Sequence, residues 1–270
     1  MRWLARSGAR GAKADVHIET SGSGPDLVLI HGWAMHGGIF APLTPLLAPH
    51  FRLHVVDLPG HGHSAASAEA IDPAACAAQI ARRVPRALWV GWSFGGLVSL
   101  RAALTAPERV CGVVEIAASP CFVSTLDWPH GVPADIFIQF GTGLTENYRA
   151  AIERFLALET LGSAQSHDEL RELKAHVFER GDPSLQVLEQ DLGVLRATDL
   201  RGDLAHLPVP SLWIGGRRDR LVPVGAMRWA AHHSPAGEFV EIASGHAPFL
   251  RHAAQVATAI NDFAGRIERA

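Results

Sequence analysis

Cysteine is scarce. Cys76, Cys111 and Cys121 are the three in 270 residues, and their spacing fits neither a disulfide framework nor a CxxC metal or redox motif. That favours a reducing compartment. The first stretch, MRWLARSGARGAKA, is positively charged but lacks the apolar run of a secretory signal, so residues 1–14 are expected to form a disordered extension. No apolar run is long enough to cross a bilayer. A formal net charge of −3 gives no overall pull toward nucleic acid or an anionic membrane. Internal repeats and low-complexity tracts are absent. The Gly37-Gly38 and Gly215-Gly216 pairs read as turns, and neither carries the Lys-Ser/Thr of a phosphate-binding loop. Together these absences leave a cytoplasmic protein without nucleic-acid or membrane partners as the default expectation.

What is present is a chain that is 48% hydrophobic, enough for a large core. LVLIHGW (27–33), FRLHVVDLPG (51–60), ALWVGWS (87–93), VCGVVEIAAS (110–119), PSLWIGG (210–216) and EFVEIAS (238–244) read as strands. Most are short, continuously apolar runs bounded by turn residues, the pattern of strands buried on both faces. Helical patterns such as PAACAAQIARRV (73–84) and GGLVSLRAALTAPERV (95–110) alternate with them, which predicts an α/β fold with a mostly parallel sheet flanked by helices. Between about Pro120 and Asp199 the alternation stops. That region reads as helical throughout, with NYRAAIERFLALETLG (147–162) and SHDELRELKAHVFERG (166–181) as amphipathic segments. A helical lid over residues 121–195, inserted into a core of residues 15–120 and 196–270, follows.

Gly91-Trp92-Ser93-Phe94-Gly95 fits G-x-S-x-G between a predicted strand and a predicted helix. Side chains at the two glycines would collide with the adjoining strand and helix, while the strained turn aims the serine hydroxyl outward as a nucleophile. A glycine-flanked serine that merely caps a helix is the alternative. A serine nucleophile needs a base. Among 15 histidines position must discriminate, and His246 follows the last strand, at the same sheet edge as Ser93. Asp219, just after PSLWIGG, is the best carboxylate to orient that histidine, with Asp199 and Asp203 as runners-up. The order Ser…Asp…His suits this fold. The backbone N–H groups of Phe94 and Trp33 are the candidates for an oxyanion hole, and His31 reads as part of the turn. DLPGHGHS (57–64) reads as a structural turn at the rim of the cleft, although a metal site from Asp57, His61 and His63 is conceivable.

With these residues assembled, the chain resembles the α/β-hydrolase superfamily from about Leu27 onward. HGW, LHVVDLPGHGHS, LWVGWSFGGLV, AASPCF, ERFLALETLG and GHAPFLRHAAQ resemble, more closely, the pimeloyl-[acyl-carrier protein] methyl ester esterase family of biotin synthesis. That resemblance implies hydrolysis of a methyl ester on a pimeloyl chain carried by acyl carrier protein. Ser93 would be acylated, methanol would leave, and water activated by His246 would release the acid, with no metal or cofactor. It also implies that Trp33, Trp92, Phe94 and Phe155 contact the substrate, Phe155 projecting from the lid, and that Arg154 and Arg171 meet the acidic carrier. Two further family arginines fall on Ala150 and His167, with Arg149 adjacent to the first, and the family's small aliphatic residue after the serine is Phe94 here. A monomer is expected. A general short-chain carboxylesterase acting on a free ester is the alternative, and a binding protein without turnover is the rival from another class.

Overall fold

A computed structural model describes residues 16–65, 72–161 and 166–269. The expected extension, residues 1–14, lies outside the described residues. Seven strands form one sheet: β1 (His17–Gly22), β2 (Asp26–Ile30), β3 (Arg52–Asp57), β4 (Ala87–Trp92), β5 (Val110–Ile116), β6 (Ser211–Gly216) and β7 (Gly237–Ile242). Their order is β1-β3-β2-β4-β5-β6-β7, and every pairing is parallel except β1 with β3. All residues of β4 and β6 are buried. Successive strand residues face opposite sides, so both faces of the sheet centre are covered.

The six expected strands are all present. β1 was not foreseen, because HIETSG has no apolar run and most of it is exposed at the sheet edge. The covering helices are α1 (Thr44–Leu47), α2 (Pro73–Arg83), α3 (Phe94–Thr105), α7 (Val224–His233), α8 (Pro248–Arg251) and α9 (Ala253–Ile267). Between β5 and β6 come α4 (Ala134–Thr160), α5 (Ser166–Val177) and α6 (Leu185–Ala197). Among the described residues, no helix is long and apolar enough to cross a membrane.

The insertion departs from its expected form at its start. Residues 121–133 are not helical. They carry isolated bridges, Val123 with Val132 and Thr125 with Trp128, and Cys121 bridges to Asp199. Pro129, Gly131 and Pro133 break helix periodicity there, and the buried Trp128 indole anchors the loop by donating to the Cys121 carbonyl at 2.9 Å. The helix expected from residue 147 corresponds to the second half of α4. Asn147 has non-helical backbone angles, and its Oδ1 accepts the Ala150 N–H at 3.1 Å, a cap inside the helix. α5 stops at Val177, and Gly181 follows in the left-handed region with φ 95°.

The insertion is keyed to the core by buried polar groups. Asp57, closing β3, accepts the Gly37 and His63 N–H groups at 2.7 and 2.8 Å, and Arg180, beyond α5, reaches it at 3.1 Å. DLPGHGHS is thus a braced turn. Above it lies Asp191 of α6, whose two carboxyl oxygens are buried and make no hydrogen bond; one is 3.8 Å from His61 Nε2. Burial raises the Asp191 pKa well above 3.8.

A carboxyl whose folded pKa is raised binds a proton that the unfolded chain has already lost, so its contribution to stability falls as pH climbs past about 4. Asp191→Asn removes that dependence. Urea midpoints should show the variant gaining on the wild type between pH 4 and pH 8, by about 1–3 kcal/mol at the upper end. Parallel curves for the two proteins would show that Asp191 does not carry this cost.

Candidate active site

In a parallel sheet the loops after the strands gather along one edge. The turns after β2, β4, β6 and β7 therefore bring Gly32-Trp33, Ser93, Asp219 and His246 together. Ser93 sits between β4 and α3 with φ 54° and ψ −117°, a conformation that L side chains rarely adopt. The flanking glycines permit it. A Cβ on Gly91 would lie 2.5 Å from the Gly95 carbonyl oxygen and from Ser99 Oγ. A Cβ on Gly95 would lie 2.3 Å from the Ile30 carbonyl oxygen. The strain is held in place by the Ser93 N–H, which donates to the Ile116 carbonyl at 2.9 Å.

His246 joins the other two residues. Its Nδ1 lies 2.7 Å from Asp219 Oδ2 and its Nε2 2.9 Å from Ser93 Oγ. An ionised carboxylate only accepts, so Nδ1 carries the proton, and Nε2 is left to accept from the serine hydroxyl. Asp219 is itself fixed, its Oδ1 accepting the Leu221 and Val222 N–H groups at 2.8 and 2.9 Å. The alternatives sit elsewhere: Asp199 is paired with Arg201 at 2.7 Å, and Asp203 lies near Arg101 at 3.9 Å.

The imidazole is wholly buried, and burial alone would lower its pKa. The Asp219 carboxylate outweighs that, with Glu159 adding to it, and holds His246 above the free-imidazole value of 6.5.

The two proposed oxyanion donors are also at this edge. Phe94 opens α3, where an N–H has no acceptor within its own helix. Gly32 packs against the serine, since a Cβ on it would lie 3.2 Å from Ser93 Cβ. His31 accepts the Leu58 N–H at Nε2, 2.9 Å away, so its Nδ1 carries the proton and donates to the Gly32 carbonyl at 2.8 Å. C=O and N–H point in opposite directions across a trans peptide, so fixing the Gly32 oxygen also fixes the Trp33 N–H. Burial pushes the His31 pKa down to about 3, so it stays neutral in this role.

The four expected substrate contacts differ in placement. The Trp33 and Phe155 rings meet edge to face, 4.5 Å between centroids, and the Trp33 indole donates to the Leu188 carbonyl of α6 at 3.0 Å. Phe94 is fully buried. Trp92 holds the histidine from behind: its indole N–H donates to the His246 carbonyl at 2.9 Å, and its ring packs against Phe249. The insertion covers the serine, which is 5% exposed. Arg154 and Arg171 lie on the exposed surface of the insertion, Arg171 paired with Asp168 at 2.9 Å. Arg149 turns away from that role. It is bound to Asp182 and lies over the Phe178 ring. Ala150 is half-buried and His167 exposed.

One residue at the site was missed. Glu159, on the last turn of α4, is buried with Oε1 4.0 Å from His246 Nε2 and Oε2 without a hydrogen bond, and its carbonyl accepts the His246 N–H at 3.2 Å. Burial pushes its pKa up to about 8. The signal was in the helix pattern: 152, 155, 156 and 159 form one buried stripe, and a glutamate interrupts it.

The conceivable metal site at Asp57, His61 and His63 is not assembled as such. His61 turns its Nδ1 to the Pro59 carbonyl at 3.0 Å, and Asp57 is committed to backbone amides and Arg180. His17, Glu19 and His63 do converge, with ligand atoms within 4.8 Å of one another, but the Arg180 cation already sits 2.9 Å from Glu19.

Comparison with known proteins gives the family. The alpha/beta hydrolase family matches residues 27–259. The chain belongs to that family. It is 51% identical over 253 residues to the pimeloyl-[acyl-carrier protein] methyl ester esterase of Xanthomonas oryzae pv. oryzae, covering 93% of this chain and 100% of the relative. It is 49% identical over 256 residues to the protein of that name from Stenotrophomonas maltophilia, covering 94% and 98%. Among solved structures it resembles an esterase from Exiguobacterium antarcticum (TM-score 0.82, 21% identity, 92% and 94% of the chains). It also resembles a bromoperoxidase from Bacillus anthracis (TM-score 0.85, 22% identity, 93% and 95%). These structural likenesses speak to the fold. With its relatives named as esterases, this hydrolase is a carboxylic ester hydrolase.

With Ser93 as the nucleophile, only the base form of His246 could take its proton, and activity should fall as pH drops through its pKa. Since that pKa is raised, the acid limb of kcat/KM for p-nitrophenyl butyrate should have its midpoint above 6.5. Asp219→Asn should move the midpoint below it, because burial then dominates, and cut kcat by several orders of magnitude. An acid limb that stays where it was in Asp219→Asn would rule out this pairing as its origin.

Proposed function

We propose that this chain is a serine carboxylesterase that hydrolyses the methyl ester of a pimeloyl group carried on acyl carrier protein. The observation that carries the chemistry is the run of hydrogen bonds from Asp219 through His246 to a strained Ser93. In this reading Ser93 attacks the ester carbonyl as His246 takes its proton, and the Phe94 and Trp33 N–H groups stabilise the oxyanion. Methanol leaves with the proton from His246. Water then attacks the acyl-enzyme by the same route and frees the acid. No metal or cofactor enters these steps.

The substrate follows from relatives at about half identity over nearly the whole chain, named for that ester. Residues 121–195 act as the lid, and Trp33, Phe94 and Phe155 surround the acyl chain while Trp92 steadies His246. Arg154 and Arg171 offer positive charge to an acidic carrier. Such steering acts mainly on encounter rate and weakens with salt.

A second reading has support of its own. Arg149 is committed to Asp182, and Ala150 and His167 supply no permanent charge, so the cationic face is thin. A general esterase acting on free short-chain esters needs no such face.

The test is hydrolysis of methyl pimeloyl-acyl carrier protein beside p-nitrophenyl butyrate. The carrier-bound ester should have much the higher kcat/KM, and it should fall with added salt while the free ester is little affected. Ser93→Ala should abolish both while keeping the fold. Wild-type turnover by Ser93→Ala would end the serine mechanism. Hydrolysis of the free ester alone would leave the mechanism and replace the substrate.

A further inference from the structure

Glu159 has no counterpart in the reading above. Its carboxyl is buried, and a buried carboxyl with an oxygen that makes no hydrogen bond is costly unless it serves something. Its neighbour is informative. Oε1 is 4.0 Å from Nε2 of His246, the nitrogen that passes protons to and from the reacting atoms. Two groups at that separation are too far apart to hydrogen-bond each other. They are well spaced to share a third. One oxygen at a normal hydrogen-bond distance of about 2.8 Å from each subtends an angle of roughly 90°, close to what the two hydrogens of a water molecule can span. The helix position is rigid as well, because the Glu159 carbonyl accepts the His246 N–H at 3.2 Å and ties the same residue to the histidine through the main chain.

We propose that Glu159 is a positioning residue for the small oxygen species that exchanges at His246, methanol departing in the first half of the reaction and water arriving in the second. This rests on the acyl-enzyme reading above. Water donates one hydrogen to His246 Nε2 and the other to the Glu159 carboxyl oxygen, which leaves a lone pair for the acyl carbon. As the new C–O bond forms, the first proton moves to Nε2. It then passes to Ser93 Oγ as the serine ester bond breaks, and the free acid leaves. In the first half the departing methoxide takes its proton from Nε2 at the same position. The acceptor is the carboxyl oxygen, so an amide at this position does the same work.

An activated ester separates the halves, because p-nitrophenolate leaves without needing a proton. Glu159→Leu removes the acceptor at similar size, and Glu159→Gln keeps it. With p-nitrophenyl butyrate in rapid mixing, Glu159→Leu should release the first equivalent of p-nitrophenol at close to the wild-type rate. Steady-state turnover should then slow by about 100-fold, the cost of a misplaced reacting group. Mass spectrometry should find a butyryl group accumulating on Ser93. Glu159→Gln should stay within about threefold of wild type. With the methyl ester, Glu159→Leu should be slowed in both halves.

The role fails if an acyl group on Ser93 of Glu159→Leu hydrolyses at the wild-type rate. It fails too if release and turnover fall equally, or if Gln is as damaging as Leu, since each points to packing alone. Turnover by Glu159→Leu and wild type with no adduct trapped on Ser93 in either, even on acid quenching, would remove the acyl-enzyme reading and this role together. A fast-hydrolysing adduct removes only the role.

Discussion

The site depends on how closely one helix can approach one strand. The Ile30 and His31 carbonyls press against Gly95 so tightly that a methyl group there would sit 2.3 and 2.7 Å from their oxygens. That approach sets α3 against β2 and forces the chain at Ser93 into φ 54°. The serine pays for it in backbone strain of order 1–3 kcal/mol, which the surrounding hydrogen bonds and packing hold in place. In return its hydroxyl stands clear of the turn, and the next N–H is free at a helix N-terminus. A looser turn would let the serine relax toward an ordinary helical conformation, and Oγ would swing away from His246.

Around that turn the parallel sheet acts as a ruler. Asp219 and His246 come from the ends of neighbouring strands, β6 and β7, and reach the serine without any loop having to travel far. Burial then sharpens the electrostatics. His246 is shielded from water, so its charged form depends on the carboxylates beside it. Asp219 accepts hydrogen bonds from two backbone amides. Glu159 is buried with one oxygen that makes no hydrogen bond, and burial pushes its pKa up to about 8. Two carboxyl groups beside one imidazole thus sit in different surroundings, one held by main-chain donors and the other penalised by burial.

Sequence carried far where short-range rules dominate. Short, mostly apolar runs bounded by turn residues located β2 through β7, and the glycines around Ser93 announced a turn that only glycine can make. The same rules were blind to β1, which is recruited by pairing with β3 rather than by its own pattern. They also overextended helix into residues 121–133, where the loop is organised by Trp128 reaching Cys121 and not by periodicity. Glu159 shows a different limit. The helix stripe that should have raised the question was visible, but the answer lies in proximity to a histidine 87 positions away, which spacing along the chain does not encode. Arg149 is similar: its charge was legible, and its capture by Asp182 and Phe178 was not.

The insertion and the reacting residues share the same bonds. The Glu159 carbonyl holds His246, the Leu188 carbonyl holds the Trp33 indole, Phe155 lies on Trp33, and Arg180 reaches Asp57 beneath. A net hydrogen bond is worth about 1 kcal/mol and an aromatic pair about 0.5–1.5 kcal/mol, so no single contact locks the cover. Ser93, 5% exposed, lies beneath them. These contacts include those that fix His246 and the Trp33 turn. On the proposed function, a cover closed around an acyl chain would therefore hold the base in place and exclude bulk water together. On the same reading, an ester that left the cover open would meet a histidine with one fewer anchor, so discrimination between substrates would lie in the insertion while the proposed reacting groups belong to the sheet.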